Sequence, residues 1–410
     1  MYFDYNGTTP VDPKVVEEMS KVTLSYSGNP SSSNKEGRNA KKIIEEARES
    51  ISRSIGIPPN TLRFTSSATE SNNTVLYNIL SENVRGRTIL TTRTEHASVI
   101  QTAMELEREN TDKSVKLTYI PVNELGLITF DSFYDAVTPD VGIVSIIYAN
   151  NETGTIQDDN VIRRIGRWCR SRGVIFHLDV TQAVGKIPIN LNNLRCSTAS
   201  FSAHKFYGPR GIGGLYVDKS VKVRQLMKGG LQEKNTRAGT ENVPGIHGMA
   251  VALDLAIERL EVESVRVRRM RDFLREKLLE SIDNSVVFGP YKKPTSVLPN
   301  TISISIPCVN SRDFMDLLDR ENASVNVGSA CGKGKRSMTL EAMGVPEAVE
   351  KGIFRISLGR HTTYGECKNL YQLFVNTWLK VGTTPCNREE EKELRNWLKK
   401  VEEEYKKIES

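Results

Sequence analysis

Several features that define other classes of protein are missing from this 410-residue sequence. No apolar run is long enough to span a membrane, and the first residues, MYFDYNGTTP, lack the basic and apolar regions of a signal peptide. The six cysteines include no CxxC pair, so neither a disulfide framework nor a zinc knuckle is indicated. No basic run is interleaved with aromatic residues, and the net charge is only +6. We therefore expect a cytoplasmic protein that binds neither membranes nor nucleic acid directly.

What the sequence does contain is an alternation of short apolar runs and amphipathic helices. TLRFTSS precedes ATESNNTVLYNIL, and VGIVSIIYANN precedes a loop and DDNVIRRIGRWCRSRG. This alternation predicts an α/β domain with a mostly parallel sheet covered by helices. A long helical stretch, roughly 243–282, then leads to a second group of strands and helices. We expect a large domain (16–255), a smaller α/β domain (1–15 and 256–386) and a charged C-terminal helix (387–410).

The C-terminal helix carries an apolar stripe at helical spacing. Its members are Leu394, Trp397, Leu398, Val401 and Tyr405. A stripe of this kind favours docking on the same chain or on a sister subunit over docking on a foreign partner.

One lysine lies in an unusually permissive stretch of backbone, SFSAHKFYGPRGIGGLYV. Lys205 is followed closely by Gly208, Gly211, Gly213 and Gly214. A solvated lysine beside a turn is the simplest interpretation. The alternative is a lysine that bonds covalently to a bulky planar cofactor, with the glycines making room for that cofactor.

Three further polar features lie where strands are expected to end, which is where sites form in open α/β sheets. SSATES, residues Ser66–Ser71, has hydroxyls and backbone amides suited to a phosphate at a helix N-terminus, or is an ordinary N-cap. Asp179 ends a strand apolar enough to be buried, where it needs an arginine partner or the protonated ring nitrogen of a cofactor. His96 follows another strand and either caps a helix or stacks on a ring. With Lys205, these features together indicate a pyridoxal-phosphate site.

The sequence resembles the cysteine desulfurases, which are class V aminotransferase-like enzymes of pyridoxal-phosphate fold type I. The motifs that carry the resemblance run through residues 1 to about 365. They are YFDYNGTTP, GNPSSSN, FTSSATES, TEHASV, ANNETG, HLDVTQAVGK, SFSAHKFYGPRGIGGLYV, RAGTEN, GSAC and RISLGR. The resemblance implies a large domain with a mostly parallel seven-stranded sheet and a smaller C-terminal α/β domain.

The resemblance also implies a role for each matching residue. Lys205 would hold the cofactor covalently, Asp179 would pair with its ring nitrogen, and His96 would stack on the ring and shuttle protons. The remaining cofactor contacts would be Ala68, Thr69, Ser202 and His204 for the phosphate, Gln182 and Asn151 for the ring, and Thr240 for the phosphate of the sister subunit. Thr240 therefore implies a homodimer. Arg355, with Asn151 beside it, would bind the substrate carboxylate.

Cys331, in GSACGKGKR, would be the nucleophile that takes the sulfur of L-cysteine, leaving alanine and a persulfide. Glycines around it favour mobility, and Lys333, Lys335 and Arg336 favour the thiolate. The same basic residues suit an acidic acceptor, such as an iron–sulfur scaffold or a sulfur carrier. The other five cysteines are interpreted as structural.

Three positions depart from the family pattern. Ser67 stands where glycine is usual, Asn34 stands where histidine is common, and the stretch after Cys331 is about two residues shorter than in the long-loop branch.

Selenocysteine lyase, or a non-catalytic scaffold with the same fold, remains an alternative. A transaminase is disfavoured because it would not need a cysteine in a glycine-rich loop.

Overall fold

The larger of two sheets in the computed structural model contains seven strands. The structure describes residues 1–110, 114–306, 309–328, 336–381 and 388–409. The seven strands are β1 (Leu62–Thr65), β2 (Thr88–Thr92), β3 (Lys116–Ile120), β4 (Val141–Ile147), β5 (Ile175–Asp179), β6 (Thr198–Ser202) and β7 (Gly213–Val217). Their spatial order is β1-β7-β6-β5-β4-β2-β3. The α/β fold and the seven-stranded sheet are confirmed.

The sheet is parallel from β3 to β6, and only β7 runs against its neighbours. Parallel neighbours need long crossovers, and the helices of the alternating pattern supply them. β7 is antiparallel because it returns directly from β6 through the short stretch that contains Lys205. That return brings Lys205 to the carboxyl ends of β5 and β6.

The described helices cover this sheet and continue beyond it. They are α1 (Pro13–Ser25), α2 (Lys35–Ile55), α3 (Ala68–Leu76), α4 (Ala97–Glu109), α5 (Phe130–Ala136), α6 (Asp159–Arg172), α7 (Leu191–Leu194), α8 (Gln232–Asn235), α9 (Val243–Ser281), α10 (Ser311–Arg320), α11 (Met338–Ala342), α12 (Glu347–Glu350), α13 (Tyr364–Val381) and α14 (Arg388–Glu409). None of them, over the described residues, combines the length and apolar character needed to cross a membrane.

Helix boundaries follow the signals in the sequence. The side chain of Asn34 accepts a hydrogen bond from the Gly37 amide at 2.8 Å and so caps α2. Gly56 ends the same helix with a φ of +71°, a conformation that glycine adopts without strain. The unusual Asn34 therefore has a structural role as a helix cap.

A second, three-stranded sheet has its own apolar core. Its strands, in the order β10-β9-β8, are β8 (Val286–Val287), β9 (Thr301–Ser305) and β10 (Ile353–Ser357). Helix α9 joins the two cores, because its first half packs in the core of the large sheet and its second half in the core of the small sheet. The domain boundaries at residues 16, 255 and 386 remain predictions.

The glycines after Lys205 make room for the chain itself. A Cβ on Gly213 would lie 2.7 Å from the Ser67 backbone, and one on Gly214 would lie 2.3 Å from the Phe201 ring. These glycines let β7 approach the start of α3 and the ring of Phe201. None of the four lines the cavity described below, and the expectation that they make room for a cofactor stays a prediction.

The C-terminal helix α14 docks on its own chain through the stripe seen in the sequence. Leu394, Trp397, Val401 and Tyr405 are buried in a cluster with residues of α11 and β8, and with Leu125 from the loop after β3. Trp397 Nε1 donates to the carbonyl of Met343 at 3.2 Å, and Tyr405 donates to the carbonyl of Gly289 at 2.8 Å. The tail therefore covers the segment that follows residues 329–335.

Candidate active site

A cavity of about 450 Å³ lies at the carboxyl ends of the central strands, between the two sheets. The structure brings ten of the twelve predicted site residues to its wall. These are Ala68, Thr69, His96, Asn151, Asp179, Gln182, Ser202, His204, Lys205 and Arg355. Thr240 is exposed and lies apart from the cavity, and Cys331 lies outside the described residues.

One end of the cavity is the start of α3, where the chain leaves β1. The hydroxyl of Ser202 accepts from the Ala68 amide at 2.7 Å, and the Ser67 side chain accepts from the Glu70 amide at 3.2 Å. Ser67 has a φ of −173°, an extended conformation open to any residue, so its replacement of the usual glycine causes no strain. A helix N-terminus with adjacent hydroxyls is suited to an anion such as a phosphate.

Asp179 is held by two donors and by no arginine among the described residues. Its Oδ1 accepts from the Thr181 amide at 3.0 Å, and its Oδ2 accepts from Asn72 Nδ2 at 2.9 Å. Asn72 Oδ1 in turn lies 2.9 Å from Nε2 of the buried His177, and burial lowers the pKa of His177 to about 4. The arginine partner considered for Asp179 is therefore wrong, and the sequence did not single out Asn72 or His177.

His96 has the capping role and also lines the cavity. Its Nδ1 accepts from the Ser98 amide at 3.1 Å at the start of α4, which leaves the proton of the neutral ring on Nε2. Burial lowers the pKa of His96. Asn72 donates to the Ser98 hydroxyl at 2.9 Å, so His96 and Asp179 belong to one hydrogen-bond network.

Lys205 is held inside the cavity and is not a freely solvated loop lysine. Its Nζ donates to the carbonyls of Asn6 and Gly7, both at 2.7 Å. Burial, with a contribution from the positive charge of Arg355, lowers the pKa of Lys205 to about 8. With that pKa, about a tenth of the amine is neutral at pH 7, and neutral amine is the nucleophilic form.

Asn6 connects the lysine to both sheets. Its carbonyl accepts from Lys205 and also from Gln182 Nε2 at 3.0 Å. Its amide donates to the Ser357 hydroxyl at 2.9 Å, and its side chain donates to the Thr301 hydroxyl at 2.8 Å. Sequence reasoning missed Asn6, and the only signal was its place in the YFDYNGTTP motif.

Two buried polar atoms in the wall have no partner among the described residues. They are Nε of Arg355 and Oε2 of Glu95. The other edge of Arg355 is occupied, since Nη2 donates to Asp4 at 2.8 Å and Nη1 donates to the Asn151 carbonyl at 3.3 Å. Unsatisfied buried groups at a cavity wall are typical of a ligand site.

These residues fit pyridoxal phosphate. A helix N-terminus suits its phosphate, Asp179 is a buried carboxylate for its ring nitrogen, and Lys205 offers an amine of lowered pKa. The cavity wall also holds unsatisfied polar groups that a bound cofactor and substrate can satisfy.

Three of the six cysteines lie among the described residues. Cys169, Cys196 and Cys367 are buried, and burial raises the pKa of each thiol, to about 12 for Cys196 and Cys367. Raised pKa values disfavour the nucleophilic thiolate. The expectation for Cys308 and Cys386 lies, like that for Cys331, outside the described residues.

Comparisons with known proteins identify the family of the chain. The model of the family described as Aminotransferase class-V matches residues 1–370. Cysteine desulfurase IscS from Dictyoglomus turgidum is 37% identical over 366 residues, which are 88% of this chain and 90% of the relative.

Solved structures give the same picture. A NifS-like protein superposes with a TM-score of 0.84 at 35% identity, covering 93% of this chain and all of the other. A structure titled SspA in complex with cysteine superposes with a TM-score of 0.74 at 28% identity, covering 88% of this chain and 99% of the other. The chain belongs to the aminotransferase class-V family, among the pyridoxal-phosphate-dependent cysteine desulfurases.

Proposed function

We propose that this cysteine desulfurase transfers the sulfur of L-cysteine to Cys331 as a persulfide, with alanine as the other product. One observation carries the assignment of Cys331. Residues on both sides of the segment 329–335, namely Gly328, Arg336 and Met338, line the same cavity as Lys205. Cys331 follows Gly328 by three residues, a span of at most roughly 11 Å.

The bound cofactor supplies an electron sink for the carbon atoms of the substrate. The chain holds and orients the reactants around it. Asp179 would place its carboxylate at the ring nitrogen, and the start of α3 with Ser202 and His204 would receive the phosphate. Arg355 binds the substrate carboxylate through its unpaired Nε, next to Asn151.

Sulfur transfer balances without an external oxidant. The Cys331 thiolate attacks the substrate sulfur, an S–S bond forms, and the C–S bond breaks with its electron pair left on carbon. That carbon takes up a proton to give alanine, and His96 or Lys205 is placed to move protons in the cavity. A second thiol, or an acceptor protein, then removes the persulfide sulfur.

We also propose partners for the enzyme. Lys333, Lys335 and Arg336 favour an acidic acceptor, such as an iron–sulfur scaffold, a tRNA-thiolation protein or a sulfur carrier. A homodimer is favoured because Thr240 is exposed close in sequence to the exposed apolar Leu226, Met227 and Leu231. A cytoplasmic location is also proposed.

The function is tested by supplying L-cysteine with and without a thiol reductant and quantifying alanine and sulfide. We expect equal amounts of the two products with reductant, and with no reductant about one alanine per active site, because the persulfide is not cleared.

Lys205→Ala is expected to lose the visible absorbance of the bound cofactor and to form no alanine. Alanine formation by Lys205→Ala at the parental rate would contradict the assignment of Lys205.

A further inference from the structure

Glu152 is a buried carboxylate at the cavity wall to which the proposed mechanism gives no role. It lies in the turn after β4, next to Asn151, and is 7% exposed. Its backbone position is fixed by Asn150, whose Oδ1 accepts from the amides of Glu152 and Thr153, both at 2.8 Å. Asn150 Nδ2 donates to the carbonyl of Thr94 at 2.9 Å. Glu152 is therefore a rigid part of the large-sheet side of the cavity.

Both oxygens of Glu152 are bound to the first turn of α11, on the small-sheet side. Oε2 accepts from the Ser337 hydroxyl at 2.7 Å, and Oε1 accepts from the Thr339 hydroxyl at 3.3 Å. Ser337 is also the N-cap of α11. Glu152 thus helps to fix the point where the chain re-enters the described fold after residues 329–335.

A second carboxylate holds the same point from the small-sheet side. Glu350 accepts from the Ser337 amide and, at 2.8 Å, from Arg336 Nε. Arg336 also donates to the Val345 carbonyl at 2.9 Å. These contacts lie within one side of the molecule, so among these partners only Glu152 ties the anchor to the opposite wall of the cavity.

Ser337 is the second described residue after the segment that contains Cys331, so it fixes one end of the chain that carries the thiol. The two residues are six positions apart, so the tether is at most roughly 20 Å long, and a shift of the anchor displaces the volume that the thiol samples. Displacement of a reacting group by about 1 Å can cost as much as a hundredfold in rate. Each oxygen of Glu152 already accepts a hydrogen bond, one from Ser337 and one from Thr339.

We propose that Glu152 is a positioning residue for sulfur transfer, which fixes Ser337 and Thr339 and thereby aims Cys331 at the bound substrate. The proposal rests on the assignment of Cys331 as the sulfur acceptor. This role belongs to the step after cysteine binds. Loss of Glu152 should therefore lower the turnover number and leave the binding of cofactor and substrate unchanged.

The test compares Glu152→Ala with the parent holoenzyme. We expect kcat for alanine formation to fall roughly tenfold to a hundredfold, with KM for cysteine changed less than about threefold. The absorbance of the bound cofactor, and its change on mixing with cysteine, should match the parent. Rapid quenching followed by mass spectrometry should show a correspondingly slower gain of one sulfur on the Cys331 peptide.

Further variants identify the contact. Glu152→Gln should recover most of the rate, because its amide can accept from one hydroxyl and donate to the oxygen of the other. Ser337→Ala should lose rate in the same way, and the double variant should lose no more than the worse single variant. Glu341→Ala is the matched control, since it removes an exposed carboxylate of the same helix that faces Arg93 at 3.8 Å. That control should turn over like the parent.

The outcomes are separable. If Cys331→Ser is inactive while Glu152→Ala and Ser337→Ala turn over at the parental rate, the positioning role is wrong and the cysteine assignment stands. If Cys331→Ser keeps its activity, the cysteine assignment itself is wrong. A Glu152→Ala enzyme that loses cofactor or cysteine binding in proportion to its rate would place Glu152 in the binding site and overturn the proposal. If Glu152→Ala does not fold, Ser337→Ala decides the question.

Discussion

At the scale of single residues, burial shifts several titratable groups of the cavity toward their neutral forms. It lowers the pKa of Lys205, His96 and His204, and it raises the pKa of Glu95 and Glu152. Desolvation disfavours the charged form in every case. The cavity therefore favours neutral side chains. A charged ligand, such as a phosphorylated cofactor or an amino-acid substrate, would favour the charged forms of the side chains that it contacts.

The lowered pKa of Lys205 predicts how the apoenzyme takes up pyridoxal phosphate. Only the neutral amine attacks an aldehyde, so the uptake rate should rise about tenfold per pH unit up to about 8 and then level off. Arg355→Gln should move the plateau to higher pH, because the charge of Arg355 helps to lower the pKa. Absorbance after mixing measures the rate, and a free amine of ordinary pKa controls for ionisation of the cofactor. A rate that is constant between about pH 6 and 8 would contradict the assignment.

The residue types of the site could be predicted from sequence, but their partners could not. Lys205, Asp179 and His96 stand at strand ends that the apolar pattern marks. Asn6, Asn72 and Glu152 act through contacts with residues more than a hundred positions away, such as Asn6 with Lys205 and Glu152 with Ser337. No local pattern encodes such contacts.

At the scale of elements, the alternation of apolar runs and amphipathic helices predicted strands such as β1 and β4, the long helix α9 and the tail helix. It did not predict α8, where Glu233, Lys234 and Asn235 all have positive φ without a glycine. The surroundings impose that conformation, because Glu233 is buried against Arg48 with Nη2 to Oε1 at 2.8 Å and also accepts from the Phe64 amide. Left-handed residues persist where tertiary contacts hold them.

The tail helix α14 supplies a prediction about stability. Trp397→Ala removes a ring that is 4% exposed and a hydrogen bond to Met343, so unfolding should become easier by about 3–5 kcal/mol. Arg395→Ala, on the exposed face, should change stability by less than about 0.5 kcal/mol. Denaturant titration measures both, and hydrogen exchange should quicken in α11 for Trp397→Ala alone. Unchanged exchange in α11 would show that the tail does not support it.

At the scale of the whole molecule, the site exists because the two sheets meet. Lys205 and Asp179 come from the large sheet, Arg355 comes from β10 of the small sheet, and the N-terminal residues Asp4 and Asn6 lie between them. The sequence predicted two bodies and one site. The way they close on each other depends on long-range packing, and α9 provides the shared scaffold.

The central claim is that Cys331 takes the sulfur, and peptide mass spectrometry after a brief exposure of the holoenzyme to L-cysteine tests it most directly. The account predicts one added sulfur atom on the peptide that contains Cys331. Cys331→Ser should still bind cysteine with the parental change in cofactor absorbance, yet gain no sulfur and release no alanine, because a serine hydroxyl stays protonated at neutral pH. An added sulfur on another cysteine, with Cys331→Ser fully active on L-cysteine, would contradict the account.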